Sequence, residues 1–409
     1  MDIKRFFNRL GPGLLFASMA IGTSHLVLST KAGAVYGMLM VVPILLANLL
    51  KYPFFEFGVR YTRVKEHSLT EGYAKTSKFY LWIYAGVNLV SAFTILAALY
   101  SVTAGMTLNI IGQGSGLSMQ SMSLILFILI SLLIIIGKYA YLEKSLKYLV
   151  IILFIALLAT VFLALGKGKV ATAENFIAPD IFDQTGLLFL ISLIGWMPTA
   201  VEASGWVSLW NLEKLKKHRE ALSLKETLRE FNLGYFITAL LAVFFFFLGF
   251  MTLYGTGTAL SASGVVFAKE LTEIFTDQLG SWARVLISIS ALAAMFSTCL
   301  SAHDALARVL VDMSQRLNWT KKNYFNLAVI GLSLSNLSVI IGFTSSMGKL
   351  VSIATFASFV FAPILGYMNH RLVFADDFEA KPSKVMRILS YCGILFLGGF
   401  SIYYLISLF

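Results

Sequence analysis

The sequence predicts an all-α integral membrane protein, and two properties of the chain support this prediction. The chain is 58% hydrophobic and 13% charged, whereas soluble domains carry about 25% charged residues. Apolar stretches of about 20 residues, the length that a helix needs to cross a bilayer, recur along the whole sequence. They predict about eleven transmembrane helices, over 12–31, 35–60, 79–108, 119–137, 145–166, 186–210, 231–254, 282–312, 324–343, 348–369 and 385–408.

Lysine and arginine are concentrated on one side of the predicted spans. They precede span 1 and follow spans 2, 4, 6, 8 and 10, and they are sparse in the opposite loops. Cytoplasmic loops are enriched in these residues, so we expect a cytoplasmic N-terminus, in a bacterial-type plasma (inner) membrane. The same bias accounts for the net charge of +11, and no nucleic-acid partner is expected. Segment 211–230 is predicted to be a solvated linker helix on the cytoplasmic side.

A short repeat occurs at the start of spans 1 and 6. Residues 13–22 read GLLFASMAIG and residues 186–195 read GLLFLISLIG. Both copies run into a helix breaker, at Gly22 and at Pro198. Span 1 starts inside and span 6 starts outside, so the copies are inverted, which is typical of secondary transporters. The expected division is a first repeat of spans 1–5 over 1–166, a second of spans 6–10 over 167–369, and an additional span 11 over 370–409.

The two interruptions predict a substrate site. Unpaired backbone groups at membrane depth cost several kcal/mol unless they are packed in protein or line a polar cavity. The second half-helices are expected to start near Ser24 and Thr199, with partial positive charge, while carbonyls near Ile21 and Ile194 attract cations. A simple kink is the alternative at either break. The predicted substrate-binding residues are Gly22, Thr23, Ser24, His25, Trp196, Met197, Pro198, Thr199 and Phe296.

Several segments resemble the NRAMP (natural-resistance-associated macrophage protein) family of proton-coupled divalent-metal transporters. They are LGPGLLFASMAIG with the following TSH, the Met-Pro pair in span 6, and ALAAMFSTCLSAHDALAR in span 8. The resemblance implies a leucine-transporter-like fold with two inverted five-helix repeats and broken helices 1 and 6. It also implies a transporter that works in the lipid bilayer.

The chain departs from this family at the positions that would bind metal. The family motif Asp-Pro-Gly-Asn, whose Asp and Asn bind the metal, is replaced by Gly-Thr-Ser-His at 22–25. The family's Met-Pro-His is Met-Pro-Thr at 197–199, and Phe296 stands where span 8 would carry a glutamine. Span 3 also lacks the acids that handle protons in the family. The resemblance therefore covers the fold better than it covers the metal site.

These departures bear on the cargo. A divalent cation in a low-dielectric site needs anionic or several oxygen ligands, whereas donors gathered at two helix N-termini suit an anion. The sequence predicts a secondary active transporter of a small inorganic ion, with a small anion such as bicarbonate as cargo and no resident metal. The alternative is a proton-coupled transporter of a divalent metal ion (manganese, iron or magnesium). In that alternative His25 and Met197 bind the metal, and Glu202 carries protons or binds the cation.

No cofactor is expected beyond a coupling ion, either Na⁺ or H⁺. Span 8 hydroxyls could hold sodium against span 1 carbonyls, with their own helix backbone as the alternative partner. His303 and Asp304 are expected to form a proton relay or a buried pair. The candidate ion-coupling residues are Ala20, Ile21, Ser297, Thr298, Ser301, Glu202, His303 and Asp304.

An enzyme is not expected from this sequence. It contains no His-Glu-x-x-His box, and the adjacent Ser24 and His25 diverge on a helix, so they make no nucleophile–base pair. A channel and a ligand sensor built on a transporter fold both remain open at this point, as does the oligomeric state.

Overall fold

The structure is a computed structural model. It describes the chain over residues 12–111, 116–217, 223–257, 270, 272–274, 276–277, 280, 283–342 and 347–407. We label its helices in chain order: α1 Pro12–Ala20, α2 Ser24–Tyr36, α3 Val41–Lys65, α4 Leu69–Thr76, α5 Lys78–Ile111, α6 Met119–Lys167, α7 Gln184–Trp196, α8 Ala203–Lys217, α9 Leu224–Leu253, α10 Ala283–Arg316, α11 Phe325–Gly342, α12 Met347–Val373 and α13 Lys384–Ser407.

The predicted all-α membrane architecture is confirmed. Within the described ranges seven helices are long and apolar enough to cross a bilayer, and the count rises to eight when α1 and α2 form one broken span. These two helices meet at an angle of 49°. Much of α2 is π-helical, over Ser24–Ser29 and Ala32–Tyr36. Such local widening of a helix is frequent at functional sites.

Spans 4 and 5 do not end where the sequence predicts. The backbone of α6 is helical without interruption over 49 residues, about 74 Å at 1.5 Å per residue, which exceeds the thickness of a bilayer. The residues between the two apolar stretches, GKYAYLEK at 137–144, include no proline and are mostly good helix formers. A polar segment therefore separates the two spans without ending the helix.

The predicted linker helix over 211–230 is also wrong, because two helix ends share this segment. The chain leaves α8 at Lys217 and enters α9 at Leu224, and 218–222 lie outside the described residues. The Ser223 hydroxyl accepts a hydrogen bond from the Glu226 amide, and the Glu226 carboxylate accepts one from the Ser223 amide. This capping box satisfies two amides at the start of α9 and fixes where that helix begins.

Two groups of helices pack among themselves. One contains α1, α2, α3, α7, α8 and α9, and the other contains α5, α6, α10 and α11, while α12 packs on members of both. The packing contacts come in matched pairs: α1 packs on α9 as α7 and α8 pack on α3, and α5 packs on α11 as α10 packs on α6. In the same way α6 packs on α1 and α9, while α12 packs on α7 and α3. This pairing is what two repeats of the same five-span unit produce.

Glycines bring α1 and α2 into backbone contact with α9. A Cβ atom at Gly234 would overlap the Gly13 carbonyl, and a Cβ at Gly13 would overlap the Glu230 carbonyl. The same close approach recurs one level along the bundle, where Gly33 lies against Phe246. Small residues at such crossings allow close van der Waals packing between membrane helices. Both halves of the broken span are thus held against a single continuous helix.

We expect Gly234→Val to destabilise the protein by at least about 1–3 kcal/mol, because the new side chain meets backbone that cannot rotate away. Gly331→Val on α11 is the matched control, since a Cβ there meets no atom within 4 Å. The melting temperatures of the purified variants in detergent provide the measurement. Equal melting temperatures for the two variants would contradict the close crossing.

Candidate substrate site between the two helix breaks

The first break lies at Gly22, as the sequence predicts. The Gly22 amide donates to the Ala20 carbonyl at 2.9 Å, which turns the chain out of the α1 helix. A Cβ atom at Gly22 would lie 2.8 Å from the Thr298 methyl group of α10, so this position requires glycine for close approach. The N-cap of α2 is Thr23, whose side chain makes no capping hydrogen bond. The Gly22 carbonyl instead accepts from the first amides of α2, from His25 at 3.1 Å and from Leu26 at 3.0 Å.

The second break is longer than predicted. After Trp196 the chain is extended at Met197, a conformation that the following Pro198 favours, and α8 begins only at Ala203. The expectation that a half-helix starts near Thr199 is wrong, because Thr199 lies in the unwound segment itself. The Thr199 carbonyl accepts a hydrogen bond from the Lys51 ammonium at 3.3 Å.

A small cavity of about 40 Å³ lies between the two breaks. Seven of the predicted site and coupling residues line it, together with residues of α1, α5, α8, α10 and the second break that the sequence analysis did not select. The predicted ones are Ala20, Gly22, Thr23, Ser24, Trp196, Thr199 and Thr298, and the others are Met19, Ile95, Leu99, Ala200, Trp206 and Ala302.

Four of the predicted substrate-binding residues are not part of this lining. His25 is fully buried, and both ring nitrogens are engaged: Nε2 donates to the Thr238 carbonyl at 2.9 Å, and Nδ1 pairs with Ser24 Oγ at 2.8 Å. Met197 is fully buried outside the cavity, Phe296 packs against the core, and Pro198 contributes only a carbonyl that faces Ser24 at 3.4 Å. The structure thus does not bring His25 and Met197 together as ligands of a metal in the cavity.

The cavity wall is mainly apolar, and its polar side chains are the hydroxyls of Thr23, Ser24, Thr199 and Thr298. Its lining contains no carboxylate and no imidazole. The Thr23 hydroxyl is buried and has no hydrogen-bond partner within the described part of the chain. The two tryptophans bond to groups behind the wall, Trp196 to Ser358 at 3.3 Å and Trp206 to Asn88 at 2.9 Å. Among the described residues no cluster of three or more His, Cys, Asp or Glu side chains could hold a metal ion.

Lys51 is a buried charged residue beside the second break that the sequence analysis did not select. Its side chain is fully buried on α3, and its ammonium donates to the carbonyls of Ile194 at 2.6 Å, Gly195 at 2.7 Å and Thr199 at 3.3 Å. The carbonyls of Ile194 and Gly195 lie at the end of α7, where the sequence analysis expected carbonyls that attract a cation. The available signal was a lone lysine within the apolar sequence of span 2.

Glu202 lies in the second break and is fully buried. Its Oε1 accepts hydrogen bonds from Ser91 at 2.7 Å and from Ser358 at 3.2 Å, while Oε2 has no partner within the described residues. Because Ser358 also accepts from Trp196, a chain of hydrogen bonds leads from the cavity wall to this carboxylate. Lys51 interacts with it electrostatically.

The span 8 hydroxyls divide into two kinds. Thr298 Oγ1 lies 3.0 Å from the Ser18 carbonyl and 3.2 Å from the Ile21 carbonyl, so it meets span 1 as predicted, although with Ser18 in place of Ala20. It also lies 3.0 Å from the Ala294 carbonyl of its own helix. Ser297 and Ser301 bond to carbonyls of their own helix, at 2.7 and 2.8 Å. Only Thr298 is therefore placed to share a cation with α1.

His303 and Asp304 are both buried but have separate hydrogen-bond partners, so the expected pair is wrong, while the alternative of a proton relay stays a prediction. The Nε2 atom of His303 donates to the Val329 carbonyl at 3.0 Å, and its Nδ1 pairs with the Tyr100 hydroxyl at 2.8 Å. Asp304 instead forms an ion pair with Arg308 at 2.7 Å and accepts from the Trp210 indole at 2.9 Å. Adjacent residues on a helix point in different directions, and here each has separate partners.

Comparisons with solved structures identify the fold. A variant of the manganese transporter of Eremococcus coleocola has a TM-score of 0.72 at 14% identity and covers 98% of this chain and 86% of its own. MhsT in complex with L-phenylalanine has a TM-score of 0.65 at 17% identity, covering 98% of both chains. Mhp1, a nucleobase-cation-symport-1 family transporter, has a TM-score of 0.63 at 13% identity, and the match covers 98% of this chain and 93% of Mhp1. The fold is leucine-transporter-like, as predicted.

Sequence comparisons identify the family. The protein PM0681 of Pasteurella multocida (strain Pm70) is 31% identical over 405 residues, covering 98% of this chain and 92% of its own. The family model "Natural resistance-associated macrophage protein-like" matches residues 13–407. Members of this family are transporters of small ions in the lipid bilayer, not enzymes, and they need no cofactor. The chain is an integral membrane protein that belongs to the Nramp family.

Proposed function

We propose that this protein is a secondary active transporter that carries a small inorganic anion, such as bicarbonate, through the cavity between the two helix breaks. The carrying observation is the charge of the site: its lining contains no carboxylate, and Lys51 covers the carbonyl end of the second break. The first repeat would span 1–166, the second 167–369 and the additional span 370–409. A cytoplasmic N-terminus in a bacterial-type plasma membrane completes the proposal.

The electrostatic argument concerns what the cavity offers a desolvated ion. Removing an ion from water carries a large free-energy cost, which ligands of opposite charge or polarity must offset. The Thr23 hydroxyl can donate to an anion, and the N-terminus of α2 contributes partial positive charge at the cavity. A divalent cation would find hydroxyl and carbonyl oxygens there but no anionic group on the wall.

The size of the cavity supports a small cargo. A cavity must have a volume of at least about 10–15 Å³ to hold one water molecule. A cavity of about 40 Å³ therefore admits an ion of a few heavy atoms. An amino acid such as the L-phenylalanine bound to MhsT is too large for it. The indole walls formed by Trp196 and Trp206 would flank a planar oxyanion.

A divalent metal ion is the second candidate, and family membership favours it. The solved structures include manganese transporters, and the chain matches the family model over nearly its whole length. The Met19 thioether lines the cavity and could serve as a soft ligand in place of Met197. Glu202 would then be the nearest candidate for an anionic ligand or a proton carrier, through the hydrogen bonds of Ser358 and Trp196.

Uptake by purified protein in proteoliposomes tests the cargo. We expect labelled bicarbonate to accumulate above the level in protein-free liposomes, and labelled manganese to remain at that level, because the cavity wall lacks an anionic ligand. Manganese uptake without bicarbonate uptake would reject the anion and establish the second candidate.

The Thr23 hydroxyl provides a sharper test of the site. We expect Thr23→Val to lower uptake about tenfold, because one buried hydrogen-bond donor to a charged cargo is removed at nearly constant volume. The matched control is Thr30→Val on the same helix, whose hydroxyl is also buried without a described partner but does not line the cavity. Similar uptake by both variants would place the cargo elsewhere.

Sodium is our proposed coupling ion, held between Thr298 and the carbonyls of Ser18 and Ile21. We expect replacement of sodium by choline to lower uptake, and Thr298→Val to remove this dependence on sodium. Ser301→Ala is the control, since that hydroxyl bonds within its own helix. If wild-type uptake follows an imposed pH gradient and is indifferent to sodium, proton coupling, which is typical of the family, replaces this proposal.

A further inference from the structure

We infer that the Lys51 side chain is a tethered cation that permanently occupies the carbonyl end of the second helix break, where a mobile ion would otherwise bind. This concerns the architecture of the transport site and holds for either cargo. The first break faces the cavity, whereas the carbonyls at the end of α7 in the second break already bind the Lys51 ammonium.

The geometry matches an ammonium to its acceptors. A lysine ammonium has three N–H donors and no acceptor, and Lys51 Nζ meets three backbone carbonyl oxygens, at 2.6, 2.7 and 3.3 Å. Two of these carbonyls, at Ile194 and Gly195, belong to the last turn of α7, and the third, at Thr199, belongs to the unwound segment. The ammonium therefore links the end of α7 to the unwound segment that follows it.

The position of Lys51 along α3 excludes a link to the membrane surface. It lies 14 residues before the end of α3 at Lys65, about 21 Å along the axis, which is farther than a lysine side chain extends. It also lies 10 residues after the start at Val41, about 15 Å. The side chain thus remains inside the bundle, where its exposure is 0%.

A buried lysine at this place has a physical reason. The last carbonyls of a helix have no partner in that helix and carry partial negative charge, so they favour a cation. At membrane depth water cannot satisfy them. Glu202, in the same break, adds a negative charge that acts on Lys51. Carbonyls and carboxylate together offset the cost of removing the ammonium from water.

As a consequence, the two breaks differ in the carbonyl groups that they offer to a transported ion. An ion that needs backbone carbonyls for coordination cannot use those of Ile194 and Gly195 while Lys51 holds them. Lys51 does not line the cavity, so it is a positioning residue: it fixes the unwound segment and contributes positive charge behind the Thr199 wall.

Chemical rescue tests this inference without any cargo. Lys51→Ala removes three methylene groups and the ammonium, which together correspond to n-propylammonium. We expect the purified variant to melt several degrees below wild type in detergent, and n-propylammonium chloride to restore most of this loss. Neutral n-propanol and donor-free tetramethylammonium are expected to restore none of it. Rescue by n-propanol equal to that by n-propylammonium would show that volume, not a cation, is required there.

Two further variants control for packing. Ile44→Ala opens a cavity at a fully buried position of the same helix, away from the carbonyls of the second break, and n-propylammonium is expected to leave its melting temperature unchanged. Lys51→Met keeps the length of the side chain without its charge, and it is expected to melt below wild type. A wild-type melting temperature for Lys51→Met would overturn the inference even if Lys51→Ala fails to fold. Since none of these readouts uses uptake, their failure is distinct from failure of the anion proposal.

Discussion

The structure depends on how two interrupted helices satisfy their backbone groups away from water. Each break exposes carbonyls at the end of one half-helix and amides at the start of the next. In the first, the Ala20 and Ile21 carbonyls meet Gly22, Ser24 and Thr298. In the second, carbonyls of α7 meet the Lys51 ammonium. The unpaired carbonyls at the two breaks of the inverted repeat are thus satisfied differently, mainly by hydroxyl groups at the first break and by an ammonium at the second.

The breaks can persist because the surrounding helices are packed at short range. Glycine contacts hold α1 and α2 on α9, and in the second repeat a Cβ atom at Gly195 would lie 2.6 Å from the Thr355 carbonyl of α12. Backbone-to-backbone contacts allow little adjustment, so they fix where the unwound segments lie. These contacts hold the helices that end and begin at the breaks, and α5 and α10 complete the wall of the small cavity between them.

Composition and the repeat were enough to predict an all-helical membrane protein with two broken spans, because hydropathy indicates spans directly and helix breakers at matching positions indicate the breaks. The leucine-transporter-like fold came from the resemblance to the family. Partners that are backbone atoms left no trace in the sequence. Lys51 reaches carbonyls 143 to 148 residues away, and His25 is satisfied by the Thr238 carbonyl, so neither role could be predicted from side-chain patterns. The start of α8 was misplaced for a related reason: the length of an unwound segment is set by its tertiary contacts rather than by Pro198 alone.

The asymmetry between the breaks has a consequence for selectivity. Two bare carbonyl ends would make the midplane of the bundle negative and suited to cations. The Lys51 ammonium offsets that tendency at the second break, while the N-terminus of α2 places partial positive charge at the first. The remaining acidic group, Glu202, lies behind Ser358 and Trp196 and acts on Lys51. The negative charge at the second break is therefore balanced within the protein, and the proposed preference for an anion rests on the Thr23 hydroxyl and the N-terminus of α2.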